Sequence, residues 1–151
     1  MIFTDECRAT LDGPDGWRRG WVMDANSVPY VMRRQQGGGG IMFWAAIVGS
    51  TLIGPFMIDS GVKMNSEIYS AFLDATFLKW YRSQGRAFKQ KCIFMHDNAP
   101  SHASRYTVDH SDKKGFRGDK LMTWPAQSPD LNPIENLWAI VKMRLYPGPK
   151  Q

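Results

Sequence analysis

Three acidic residues of this 151-residue chain stand where metal sites are commonly built. Asp5 follows a short apolar run that predicts a strand, and Asp97 follows a second such run; Glu135 lies in the first turn of a predicted helix. Ligands gather at strand ends in sheets of this kind. Converging carboxylates repel each other, and a hard divalent cation such as Mg²⁺ or Mn²⁺ removes that cost. Two such ions can activate a water or a 3′-hydroxyl for attack on a phosphodiester.

Each carboxylate also has a simpler explanation. A single aspartate often caps a turn or pairs with an arginine, and Glu135 can complete a capping box with Asn132. Spacing alone leaves these alternatives open. A zinc site from Cys7, Cys92, His96 and His102 lacks recognised ligand spacing, and the Ser101–His102 pair lacks the context of a nucleophile elbow. The two cysteines are therefore interpreted as reduced core thiols in a reducing compartment.

The elements that must position these residues follow from the apolar pattern. We predict strands at Met1–Thr4, Cys92–His96 and Leu121–Trp124, and a hairpin of Ile41–Val48 and Thr51–Asp59 with its second strand at a sheet edge because of Pro55. We predict helices from Asn65 or Ser66 to about Trp80, from Ser101 to about Val108, and from Asn132 to Leu145. Asp109–Asp119 is interpreted as a polar loop. The order predicts a mixed sheet with helices packed on it.

Composition supports a soluble domain with an anionic partner, but only modestly. The net charge is +5, with 19 Lys and Arg against 14 Asp and Glu. The longest apolar run is too short to span a membrane, and no signal peptide opens the chain. The helix end and loop around residues 79–91 are basic, which suits either a DNA backbone or a solvated helix end. Their basic residues are Lys79, Arg82, Arg86, Lys89 and Lys91.

Four sequence motifs surround the acidic residues, in order: Ile2–Glu6 (IFTDE), Gly38–Ile47 (GGGIMFWAAI), His96–His102 (HDNAPSH) and Ser128–Trp138 (SPDLNPIENLW). Together they closely resemble the catalytic domain of mariner-type transposases of the Tc/mariner superfamily. The last two motifs are highly specific, and the resemblance runs from Ile2 to about Leu145.

The resemblance implies a ribonuclease H-like fold, a mixed five-stranded sheet flanked by helices, as one catalytic domain over residues 1–151. It implies that Asp5, Asp97 and Glu135 bind Mg²⁺ or Mn²⁺, with two ions expected. The implied activity is that of a DNA endonuclease and strand transferase of cut-and-paste transposition, acting on transposon ends and target DNA. It also implies a homodimer in which the extended loop at about 13–40 clasps the partner subunit. The alternative for this loop is a plain surface hairpin. In a eukaryote the resemblance implies a nuclear location.

Four further residues are candidates for orienting the carboxylates or tuning the site: Asn98, His102, Asp130 and Asn136. His96 and His102 flank Asp97 and could contact a phosphate or a metal-bound water, or serve as structural hydrogen-bonding groups.

Full-length family members carry helix-turn-helix modules before the catalytic domain, and only four residues precede Asp5 here. We therefore expect those modules to be absent, through excision or truncation, and binding to DNA without sequence preference. Two alternatives stay open: a catalytically silent, domesticated remnant that binds DNA or chromatin, and a structure-specific nuclease or ribonuclease H that shares the fold.

Overall fold

A mixed sheet lies at the centre of the part of the chain that the computed structural model describes, residues 1–10, 39–59 and 61–146. Its four strands have the order β3-β2-β1-β4. β1 runs antiparallel to β2 and parallel to β4, and β3 pairs antiparallel with β2. The strands are β1 (Ile2–Thr10), β2 (Gly40–Val48), β3 (Thr51–Ile58) and β4 (Phe94–Met95).

The predicted hairpin is confirmed. β2 and β3 are joined by the Gly49–Ser50 turn, and Gly49 has a φ of +57°, which glycine adopts without steric cost. β3 is at the edge of the sheet, as the missing N–H of Pro55 predicted.

β1 is longer than predicted, and this changes the position of Asp5. The sequence suggested a strand that ends before Asp5, whereas β1 continues to Thr10 because it pairs with β2 over its whole length, from Ile2 opposite Val48 to Thr10 opposite Gly40. Asp5 therefore lies in the middle of a strand, opposite Ala45.

Residues of β1 alternate between two packed faces. On one face Cys7 and Ala45 pack against Ile134 and Trp138 of the last helix. On the other face Ile2 joins the larger core, which the remaining helices cover. Asp5 shares the first face with Cys7, and Glu6 shares the second with Ile2.

The helices of the described ranges are α1 (Ser66–Ala75), α2 (Phe77–Ser83), α3 (Arg86–Lys91), α4 (Pro100–Ala103), α5 (Arg105–Lys113) and α6 (Pro133–Leu145). They confirm the predicted starts of α1 and α6, whereas the helix predicted from Ser101 to about Val108 begins at Pro100 and is interrupted at Ser104, whose backbone is extended. Asn65 caps α1 by accepting a hydrogen bond from the N–H of Ile68 at 2.8 Å.

The helix predicted to run to Trp80 is broken at Thr76. The Thr76 hydroxyl donates to the carbonyl of Phe72 at 2.6 Å, and the backbone of Thr76 leaves the helical region (φ −116°, ψ −86°). Such back-bonding by threonine competes with regular helix geometry. Helices α1 and α2 are therefore separate.

Two segments interpreted as loops are helical. α3 forms within the basic run after Gly85, because its Arg, Ala, Lys and Gln residues favour a helix. α5 extends through Lys113 into the predicted polar loop. Gly115, with a φ of +93°, terminates it.

The predicted fifth strand is reduced to a single parallel bridge between Leu121 and Phe94, where the N–H of Met122 donates to the carbonyl of Phe94 at 2.9 Å. Pro125 removes a backbone donor shortly afterwards, so the pairing does not continue. The described sheet consequently has four strands where five were expected.

Most of the predicted loop at about 13–40 lies outside the described residues, and its last residue, Gly40, begins β2. No helix within the described ranges is long and apolar enough to cross a membrane.

Candidate active site

The start of α6 is attached directly to β1 beside Asp5. The side-chain amide of Asn132 donates to the carbonyl of Thr4 at 3.2 Å, and its oxygen accepts from the N–H of Ile134 at 3.3 Å. One buried residue thus caps the helix and holds it on the strand. This places Glu135, in the first turn of α6, close to Asp5.

The structure does not contain the capping box that was considered for Glu135. In such a box the Glu135 carboxylate would accept from the backbone N–H of Asn132. That N–H instead donates to the carbonyl of Pro129 at 2.9 Å. The Glu135 carboxylate is therefore not needed to cap α6.

Asp5 is held by neutral donors and lies close to negative charge. Its Oδ2 accepts a hydrogen bond from Nε1 of Trp138 at 3.0 Å. Burial raises the pKa of Asp5 to about 7, together with repulsion from Glu135 and then Glu6, and hydrogen bonds from the backbone of Glu6 and from Trp138 only partly offset this. Near neutral pH this carboxyl is therefore poised between its protonated and charged forms.

Asp97 follows the end of β4. The parallel register pairs Phe3 with Met95, and both aspartates come two residues later on their strands. The Asp97 Oδ1 accepts from the N–H of Ala99 at 2.9 Å and is 2.6 Å from Nδ1 of His102. The hydrogen bond to His102 is the main reason that the pKa of Asp97 is lowered.

His102 connects Asp97 to a second carboxylate. Its side chain is only 4% exposed, and Nε2 lies 3.5 Å from Oε1 of Glu6. Burial opposes a charge on this ring, but the hydrogen bond to Asp97 and the interaction with Glu6 outweigh it and raise the pKa of His102 to about 9. At neutral pH an imidazolium thus lies between Asp97 and Glu6, with the ring of Tyr69 4.0 Å away.

His96 has the opposite character. It is buried and stacks on His102 with ring centroids 5.2 Å apart. Burial and the neighbouring charge of His102 lower the pKa of His96 to about 4. A neutral, buried ring has a packing role. The alternative considered for His96 was structural hydrogen bonding, but its Nδ1 has no hydrogen-bond partner among the described residues.

The donor set around Asp5 fits a divalent cation by its chemistry. Asp5 and Glu135 bring hard oxygen donors together on one face of β1, and burial together with the charge of Glu135 raises the pKa of Asp5. Asp97 does not complete a cluster, since one of its oxygens is directed to His102 and Ala99. Across the described ranges, no three His, Cys, Asp or Glu side chains are close enough to hold a metal ion.

Three other residues were predicted to belong to the site: Asn98, Asp130 and Asn136. Asn98 donates to the carbonyl of Trp124 at 2.8 Å and so ties the segment after Asp97 to the chain that leads to α6. Asp130 and Asn136 are exposed, and within the described residues neither forms a hydrogen bond to the three carboxylates. Their assignment to the site stays a prediction.

Sequence reasoning missed three contributors: Glu6, Trp138 and the cross-link from Asn132 to β1. Glu6 and Trp138 occur in the recognised motifs, but only their contacts show what they hold in place.

The comparison with protein families decides the identity of this domain. A family model described as the DDE superfamily endonuclease matches residues 1–149. The chain belongs to this family. Its mixed sheet is the ribonuclease H-like sheet expected for the DDE endonuclease domain of mariner-type transposases.

Relatives of this DDE endonuclease chain are transposases of nematodes. The Tc3 transposase of Caenorhabditis elegans is 40% identical over 147 residues, which cover 97% of this chain and 42% of the relative. The Tcb2 transposase of Caenorhabditis briggsae is 37% identical, covering 93% and 50%. The chain spans about half the length of the curated relatives it matches.

Solved structures agree on the fold. The Mos1 mariner paired-end complex with Mn superposes on this DDE endonuclease chain with a TM-score of 0.73 at 25% identity, over 95% of this chain and 41% of that one. The catalytic domain of Mos1 mariner transposase gives a TM-score of 0.65 at 23% identity, over 95% and 59%, which supports the fold alone.

Proposed function

We propose that this domain catalyses divalent-metal-dependent cleavage and strand transfer of DNA, as the catalytic domain of a cut-and-paste transposase. The observation that carries the proposal is the proximity of Asp5 and Glu135, whose charge helps to raise the pKa of Asp5, beside the segment that follows β4 and bears Asp97. A carboxylate that is costly to ionise gains most from a bound cation.

Asp5, Glu135 and Asp97 would hold Mg²⁺ or Mn²⁺, and we propose two ions, by analogy with polynucleotidyl transferases. When bound, the ions supply Lewis-acid activation of water or a 3′-hydroxyl and stabilise the leaving oxygen. Mos1 structures with Mg and with Mn support this choice of metals.

The remaining residues of the site orient these carboxylates. Trp138 fixes the Oδ2 of Asp5, and Asn132 holds the first turn of α6 against β1. His102 and the Ala99 N–H both contact Oδ1 of Asp97, which leaves its Oδ2 available to a cation. Packing of Trp138 and Ile134 beneath the site excludes water from one side of Asp5.

DNA is the proposed substrate, both as transposon end and as target. Mos1 structures include a paired-end complex with the left transposon end and a strand transfer complex, and the nematode relatives are transposable-element transposases. We further propose a homodimer and, in a eukaryotic cell, action in the nucleus. The retained carboxylates and their supporting hydrogen bonds favour catalysis over a silent remnant.

Plasmid nicking tests the proposal. In Mn²⁺ the domain is expected to convert supercoiled plasmid to the nicked form, and to cleave duplex DNA faster than an RNA–DNA hybrid of the same sequence. In EDTA nicking should stop. Nicking that persists in EDTA would contradict the proposal, and preferred cleavage of the hybrid would favour a ribonuclease H.

A further inference from the structure

The positive charge of the chain is concentrated in two segments. Residues 76–95 and 113–120 hold nine of the 19 Lys and Arg and one of the 14 Asp and Glu. The rest of the chain is therefore net negative, although the whole is +5. The positive charge is therefore local to these two segments and is not spread evenly along the chain.

The fold brings the two segments together around one groove. A depression of about 650 Å³ is lined by residues 90–93 on one side and by Arg117, Asp119 and Lys120 on the other. Nζ of Lys120 donates to the carbonyl of Lys89 at 3.0 Å, which fastens the two sides together. We call this depression the basic groove.

The cations of the basic groove are available to a ligand. Lys91 and Arg117 are exposed, and neither has an ion pair within the described residues. By contrast Arg82 and Lys114, further out, both pair with Asp74, at 3.5 and 2.7 Å. A solvated helix end would explain Lys91 alone, but not a second cation from another segment on the opposite wall.

The basic groove lies at the opposite end of β4 from the carboxylates. Residues 90–93 of its lining precede β4, and Lys120 immediately precedes Leu121, which forms a parallel bridge with Phe94, whereas Asp97 follows β4. The five residue-to-residue steps of extended chain from Cys92 to Asp97 span roughly 16 Å. This corresponds to about five base pairs of duplex at 3.4 Å each.

We propose that the basic groove is a second contact with the DNA backbone, separated from Asp97 by roughly 16 Å of extended chain. The choice of DNA as the ligand rests on the proposed function, but the proposal concerns the binding of DNA and not its cleavage. Phosphates neutralised by Lys91 and Arg117 hold a duplex without reading its sequence. Contacts of this type release counterions, so they are visible in the salt dependence of binding.

The test is the double variant Lys91→Gln/Arg117→Gln, with Lys63→Gln/Arg144→Gln as the matched control, since Lys63 and Arg144 also have no ion pair within the described residues. Each pair removes two exposed charges; Lys91 and Arg144 are both in the last turn of a helix. Binding of a 30-base-pair duplex is measured in EDTA at several salt concentrations. The groove variant should bind about tenfold more weakly at 0.1 M salt, and its slope of log K against log salt should fall by about two.

The control pair should change both quantities far less. Equal losses for the two pairs would show that only overall charge matters, and an unchanged slope for the groove pair would show that no phosphate is bound there; either result overturns the proposal. Because binding is measured without metal, both outcomes are separate from the nicking test, which can succeed or fail on its own.

Discussion

Asp5→Asn is expected to abolish metal-dependent nicking while making the metal-free protein more stable. Loss of an oxygen ligand should lower the rate by more than 100-fold, beyond the range typical of residues that only orient ligands. The same variant removes a charge that burial, Glu135 and Glu6 disfavour, since the pKa of Asp5 is about 7 in the folded chain.

The sign of the stability change follows from that pKa. Its folded value is above the unfolded value of 3.8, so the stability of the metal-free protein falls as pH rises from about 4 to 7. At pH 8 the neutral amide avoids this loss, and we expect a gain on the order of 2 kcal/mol after allowing for partial exposure. Urea unfolding in EDTA measures the gain, and plasmid nicking measures the rate.

Glu135→Gln and Asp97→Asn should lose activity to a similar extent. Glu67→Gln is the matched control, because Glu67 is also an acid in the first turn of a helix but is exposed and outside the site. An Asp5→Asn variant that nicks at the normal rate, or one that is both inactive and unstable, would argue that Asp5 is a structural residue.

The second large effect is expected at His102, through the orientation of Asp97. The amide nitrogen of His102→Asn falls near the position of Nδ1, which contacts Asp97, whereas that of His102→Gln falls near Nε2, which faces Glu6. Both variants lose the same buried charge, so their loss of stability should be similar. We expect His102→Gln to lower activity 10- to 100-fold and His102→Asn to retain more.

The measurement is the nicking rate as a function of Mn²⁺ concentration. If His102 positions Asp97, the Gln variant should need more Mn²⁺ for half-maximal activity than the Asn variant. Equal Mn²⁺ requirements in both variants would mean that His102 serves only the packing around Tyr69 and His96.

Local sequence signals predicted the parts of the fold that depend on neighbouring residues. Gly49–Ser50 specified the hairpin, Pro55 the sheet edge, and Asn132–Pro133 the start of α6, because turns and caps are encoded within a few residues. The end of β1 was not predictable in this way, since it depends on pairing with β2, which is 30 residues distant in the chain. The break at Thr76 was not predictable either, because it depends on the hydrogen bond that the Thr76 hydroxyl donates to the carbonyl of Phe72 in the folded chain.

The sequence predicted the acidic residues of the candidate site, but not the residues that contact them. The motifs around Asp5, Asp97 and Glu135 indicated the family, but alternation along β1 sends Glu6 to the other face of the sheet from Asp5. Only folding shows that Glu6 then meets His102, and through it Asp97. Likewise, the apolar pattern of the last helix predicts Trp138 to be a core residue. Its hydrogen bond to Asp5 joins residues 133 positions apart in the chain, so no local pattern indicates it.

The most direct test of the metal site is the anomalous scattering of Mn²⁺ in crystals soaked with MnCl₂ at pH 8. We expect an anomalous peak in contact with the carboxylates of Asp5 and Glu135, with Asp97 contributing its Oδ2, and no such peak in Asp5→Asn crystals. Manganese bound elsewhere with this pocket empty, or a peak that survives the substitution unchanged, would contradict it.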